Sequence, residues 1–237
     1  CLVGSEMCIR DRVTGRRRIG KTQLVLKALG EENMLYFFVA RKAETELCQG
    51  FARELEEKLR LPLLGKPETF AEVFEYVMQL ACQRPVTLFI DEFQDFTKIN
   101  PSVYSDMQRI WDLYHTRAEI TLVVAGSINT LMNRIFRDSK EPLYNRQTRF
   151  LNLKPFTPSV LKEIMDRYHP GYTNNDLLAL YTFTGGVPKY IDSLVSADAL
   201  SEQSMIEEIV SPGSIFTEEG KAMLIDCLLY TSDAADE

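Results

Sequence analysis

Apolar residues fall into two patterns along the chain. Short runs of aromatic and β-branched residues, Met34–Ala40, Val86–Ile90 and Ile120–Ala125, read as buried strands, and Phe150–Leu153 reads as a further strand. Between them, apolar positions recur at three- and four-residue spacing. Leu47, Phe51, Leu55 and Leu59 predict a helix over 44–60, ended by Pro62, Gly65 and Pro67. Phe70, Val73, Phe74, Val77, Leu80 and Ala81 predict another over about 69–83. Residues 101–116, with the single Trp111, form a third, and one more starts near Thr130. From Thr157 the pattern is helical only: Pro158–Tyr168, Asn175–Thr184, Lys189–Ser196 and Ser201–Val210, with Thr157 and Asn174 suited to N-caps. No apolar run approaches the roughly 18 residues that cross a membrane.

One polar stretch interrupts this pattern early. Gly15-Arg16-Arg17-Arg18-Ile19-Gly20-Lys21-Thr22 has the glycine, four residues, Gly-Lys-Thr spacing of a phosphate-binding loop. Glycines let backbone N–H groups curl around a phosphate. Lys21 would reach the β- and γ-phosphates, Thr22 would offer its hydroxyl to Mg²⁺, and Gln23–Leu29 would turn a helix N-terminus toward them. The alternative is a basic loop before an ordinary helix. The strand Val86–Ile90 ends in Asp91-Glu92. There Asp91 would hold Mg²⁺ and Glu92 would polarise the water attacking the γ-phosphate, against the plainer reading of a strand ending in a polar turn. A glutamate beside that aspartate suits hydrolysis better than transfer to a small acceptor, which counts against a simple kinase. Ile120–Ala125 leads into Gly126-Ser127. Ser127 is the first choice for a γ-phosphate sensor and Asn129 the second, and either could instead cap the next helix. Arg146 or Arg149, ahead of the last strand, could reach a phosphate in cis or in trans, or lie on the surface. Gly185-Gly186-Val187-Pro188 makes a tight turn between helices, one able to set backbone and proline against an adenine.

Composition narrows the function classes. Of 237 residues, 45% are apolar and 26% charged, and the net charge of −7 disfavours a broad nucleic-acid-binding face, leaving Arg16–Arg18 as a local basic patch. Five cysteines without metal spacing, an odd number, speak against a disulfide framework and for a reducing, cytoplasmic setting. Two histidines argue against a histidine-rich metal site. The ends look foreign. Arg10-Asp11-Arg12 is poor material for the apolar central strand that a phosphate loop should follow. Residues 1–12 and 227–237 resemble translated sequencing-adapter read-through, so the native chain is expected to start upstream of Val13 and run past Asp226; frayed native termini are the plain alternative.

Together these residues resemble the archaeal-type ATPase family, within the signal-transduction (STAND-like) branch of AAA+-related P-loop ATPases. Gly15–Thr22, Leu88-Phe89-Ile90-Asp91-Glu92-Phe93-Gln94, Val124-Ala125-Gly126-Ser127, Pro142-Leu143-Tyr144-Asn145-Arg146 and Gly185-Gly186-Val187-Pro188-Lys189-Tyr190 carry the likeness. The family usually has a glycine where this chain has Asn145. The resemblance implies an α/β, three-layer P-loop NTPase (ASCE/AAA+-like) core with a parallel sheet over 13–156 and a helical lid over 157–226. The P-loop strand would be central, flanked by the Asp91-Glu92 strand and the sensor strand, and Gly186 and Pro188 would close over the adenine. ATP and Mg²⁺ are the expected ligands, with Lys21, Glu92 and Arg146 catalytic. ATP and ADP would act as a switch, with a protein or DNA partner reached through a missing C-terminal domain and assembly into oligomers open. The competing reading is a nucleotide-gated DNA- or protein-binding module in which hydrolysis is incidental.

Overall fold

The computed structural model describes residues 9–30, 34–59 and 65–217. The suggested tail 227–237, the first eight residues of the suggested foreign segment 1–12, the end of the expected lid and the helix-breaking Pro62 lie outside them. Two compact units divide between Leu153 and Lys154.

The first unit carries five parallel strands in the order β2-β3-β4-β1-β5. They are β1 (Ile9–Thr14), β2 (Met34–Phe38), β3 (Val86–Asp91), β4 (Ile120–Gly126) and β5 (Gln147–Asn152). Helices α1 (Lys21–Leu29), α2 (Glu44–Leu59), α3 (Phe70–Ala81), α4 (Phe96–Ile99), α5 (Val103–Tyr114) and α6 (Asn129–Arg137) connect them. Strand periodicity sorts the core. Leu35, Phe37, Leu88, Ile90, Leu122 and Val124 point to one face and pack with α2, α3, α5 and α6. Val13, Met34, Phe89, Val123 and Ala125 point to the other, with Val25 and Leu26 of α1. This is the expected three-layer parallel architecture.

Two expectations change. The strand before the phosphate loop is flanked by β4 and β5, so the sensor strand β4 stands between it and the Asp91-Glu92 strand β3. The β1–α1–β2 crossover reaches the far edge of the sheet, and β3 and β4 then fill the gap back toward β1. The charged run at 10–12 also does not prevent a central strand. Arg12, in register with Val124, is fully buried. Its guanidinium lies 4.1 Å from the Phe150 ring centroid and 5.3 Å from that of Phe136, and it donates to the Met132 carbonyl at 3.0 Å. Aromatic faces and a helix carbonyl thus take the place of an apolar neighbour.

The second unit packs α7 (Pro158–Tyr168), α8 (Asn174–Thr184), α9 (Pro188–Ser196) and α10 (Glu202–Val210) around Leu161, Met165, Leu180, Ile191, Leu194 and Met205. The cap of α8 is Thr173 rather than Asn174, in a reciprocal capping box with Asp176. The buried Asp176 carboxylate accepts from the N–H and hydroxyl of Thr173 at 2.8 Å each and from the Glu202 N–H at 2.7 Å. These bonds hold its pKa below the ordinary 3.8. The folded chain therefore takes up this proton less readily than the unfolded one. Asp176 should contribute its full stability above about pH 4 and lose it as the pH falls through the lowered folded value. Asp176→Ala is expected to cost roughly 1–3 kcal/mol at pH 7, with the gap to the parent chain closing in acid, as thermal denaturation across pH would record.

Candidate functional site

The register aligns the carboxyl ends of three strands. Thr14 pairs with Gly126, and Ile90 with Val124, so the loop after β1, the Asp91-Glu92 pair and Ser127 emerge along one edge of the sheet. Ligand sites of open parallel sheets lie at that edge.

Gly15 enters the loop at φ 153°, where a Cβ would lie 2.9 Å from both the Ile19 side chain and the Leu153 carbonyl. Only glycine fits there without displacement. Arg16, Arg17 and Arg18 are exposed, Ile19 is buried beneath them, and Gly20, left-handed at φ 86°, opens α1. Lys21 is buried, and its ammonium donates to the carbonyls of Gly15 at 2.9 Å and Arg16 at 3.3 Å. Burial lowers its pKa, opposed by Glu92 and Asp91 and assisted by Arg17. The Thr22 hydroxyl donates to Asp91 Oδ2 at 2.5 Å, joining α1 to β3. Gln23 is exposed on the first turn of α1.

Asp91 is buried and triply held, accepting from Thr22, from the Tyr36 hydroxyl at 3.3 Å and, at Oδ1, from the Glu92 N–H at 2.9 Å. Burial and the neighbouring carboxylates push the Tyr36 phenol well above its usual pKa, so it stays a donor. Glu92 has φ 53°, a sparsely populated region for a residue with a Cβ, typical of strained functional positions. Its Oε2 accepts from the Ser127 hydroxyl at 2.7 Å, the Ser127 N–H at 3.3 Å and the Gln94 amide at 2.6 Å. Neither Ser127 nor Asn129 caps α6, whose N-cap is Ile128 without a side-chain bond.

Two oxygens, Thr22 Oγ1 and Asp91 Oδ2, suit a hard cation. Among the described residues no group of three or more His, Cys, Asp or Glu side chains could hold a metal alone. A pair of protein oxygens is what Mg²⁺ takes when phosphate and water complete its shell.

The two expected arginines have other surroundings. Arg146 donates to Asp112 of α5 at 2.8 Å, and Arg149 is exposed on β5. Asn145 has φ 54°, a left-handed turn that asparagine tolerates better than most residues. Gly186 and Pro188 belong to the second unit, where the Gly186 carbonyl accepts from the Phe156 N–H at 2.7 Å and Pro188 begins α9. Sequence reasoning missed Tyr36 and Gln94 as site residues. For Tyr36 the available signal was a hydroxyl within an otherwise apolar run, whereas Gln94 stands among Asp91, Glu92 and Asp95, where a further polar residue draws no notice.

A family model of an ATPase domain found predominantly in Archaea matches residues 11–194. The chain belongs to that ATPase family. A relative, the protein MJECL04 of Methanocaldococcus jannaschii, is 29% identical over 182 residues, which cover 77% of this chain and 38% of the relative. The chain thus spans well under half the length of that curated relative. Among solved structures, the Walker-type ATPase PABY2304 of Pyrococcus abyssi superposes with a TM-score of 0.68 at 16% identity, over 96% of this chain and 71% of the other. The ORC2 protein of Aeropyrum pernix, solved as ADPNP–ADP complexes, gives 0.57 at 16% identity, over 92% and 66%. At these identities the likeness is one of fold. No helix among the described residues is long and apolar enough to cross a membrane.

Proposed function

We propose that this family member binds ATP with Mg²⁺, hydrolyses it, and uses turnover as a conformational switch. The observation that carries the reading is the convergence of Lys21, Thr22, Asp91 and Glu92, from two distant parts of the chain, on one sheet edge. The chemistry divides among named groups. Loop amides and the Lys21 ammonium neutralise and orient the phosphates, and Thr22 and Asp91 hold the cation. When bound, Mg²⁺ withdraws charge from the phosphate oxygens. The Glu92 carboxylate takes the proton of the attacking water as that water's oxygen bonds to the γ-phosphorus and the bond to the ADP oxygen breaks. ATP and ADP are the proposed ligands. The ADPNP–ADP complexes of the A. pernix protein support this choice, as does membership of an ATPase family.

Lys21→Ala tests the binding half. Loss of a charge-assisted contact to phosphate should weaken Mg·ATP binding about tenfold to a hundredfold, read by titration calorimetry beside phosphate release. Undiminished affinity would place the nucleotide elsewhere.

A further inference from the structure

We infer that Gln94 is a positioning residue for the Glu92 carboxylate. The inference rests on Glu92 being the group that receives the water proton.

Gln94 lies in a single 3-10 turn, Phe93–Asp95, immediately after the Asp91-Glu92 pair. Phe93 and Phe96 on either side are fully buried, and Gln94 itself is 1% exposed. An amide in such surroundings carries a desolvation cost that an apolar residue would avoid. The cost is only partly offset, because its Oε1 is buried and has no hydrogen-bond partner. Its other end makes one short bond, Nε2 to Glu92 Oε2 at 2.6 Å. The orientation follows from chemistry: an amide oxygen turned toward the carboxylate would repel it.

The surroundings hold the amide in place. Gly126 packs directly against it, and a methyl group at that position would collide with Gln94 Oε1 and the Met132 side chain. The backbone of the turn is pinned from the opposite side. The buried Tyr104 hydroxyl lies 3.2 Å from the Phe93 carbonyl and 3.5 Å from that of Gln94. Burial raises the Tyr104 pKa, keeping the phenol protonated. Phe93 also meets Tyr104 edge to face at 5.3 Å.

The consequence for Glu92 is specific. A free glutamate side chain samples many rotamers, and fixing it in one costs conformational entropy. Gln94 and Ser127 grip the same oxygen, Oε2, from two directions. Oε1 is then left to receive a proton. A carboxylate fixed before the water arrives gains the advantage of orientation, and a displacement of about 1 Å can cost up to about a hundredfold in rate.

The test is a double-mutant cycle in the full chain, reading kcat, KM and ATP affinity for the parent, Gln94→Met, Glu92→Gln and the double variant. Methionine keeps length and apolar packing but cannot donate. Gln94→Met is expected to lower kcat about tenfold with KM and ATP affinity unchanged. In the Glu92→Gln background the same change should cost nothing further, because the group it positions is gone. Gln94→Asn, which keeps the amide but is too short to reach, should behave like Gln94→Met and serves if methionine impairs folding. An equal loss in both backgrounds, a parallel rise in KM, or an unchanged kcat in Gln94→Met overturns the positioning role while leaving Glu92 in place. Hydrolysis undiminished in Glu92→Gln overturns the role of Glu92 first, and the inference with it.

Discussion

Glu92→Gln is expected to lower kcat for ATP hydrolysis by roughly 10²–10⁴-fold, the range of a lost general base, and to leave Mg·ATP binding intact or tighter. The substitution preserves size and keeps the left-handed backbone at this position. What it removes is the negative charge and the ability to hold a proton. Glu92 is also one of the two carboxylates that pull the Lys21 pKa back upward. Removing that charge takes an anion from beside the phosphate site, so nucleotide affinity should not suffer. Steady-state phosphate release together with nucleotide titration separates the two effects. Wild-type turnover in the variant would assign water activation to another group, and a joint loss of binding and turnover would mean that Glu92 holds the site together.

Arg12→Met is expected to stabilise the folded chain by about 1–4 kcal/mol, as apolar replacement of buried charge does elsewhere. Arg12 sits on the sheet face where the adjacent β4 presents Leu122 and Val124 and β3, one strand further on, presents Ile90. Among the described residues no carboxylate forms an ion pair with it. Its Nε is buried without a partner. Burial, with the nearby Arg137, pushes its pKa from 12.5 down to about 10. The buried form therefore holds its proton less well than the unfolded form. The penalty is complete at neutral pH and eases only as the pH rises through about 10. Urea denaturation at pH 7 reads the difference directly. A loss of stability in Arg12→Met would show that the Phe150 and Phe136 rings and the Met132 carbonyl outweigh the burial cost.

Arg12 also shows where sequence reasoning reached and where it stopped. The strands Met34–Phe38, Val86–Asp91 and Ile120–Gly126 were legible because both sides of a parallel strand are covered, leaving continuous apolar runs. The strand at Ile9–Thr14 was not, since its arginine is accommodated by aromatic rings distant in sequence. The order of strands was equally hidden, because periodicity tells which residues are buried but not which strands are neighbours. Within the site, Gly15, Lys21, Thr22, Asp91 and Glu92 were readable from spacing alone. The bond from Ser127 to Glu92 requires β3 and β4 to be adjacent and in register, which no local pattern encodes. Tyr36 acts through one hydroxyl in a run that otherwise reads as core, and Gln94 through an amide in a turn already rich in polar residues.

In the second unit, Asp176 gives one carboxylate to two helix starts, bonding Thr173 ahead of α8 and Glu202 at the beginning of α10. The bonds are short and partly buried, so one carboxylate ties these two helix ends together. One side chain thereby serves two helix starts, so its loss should loosen both together.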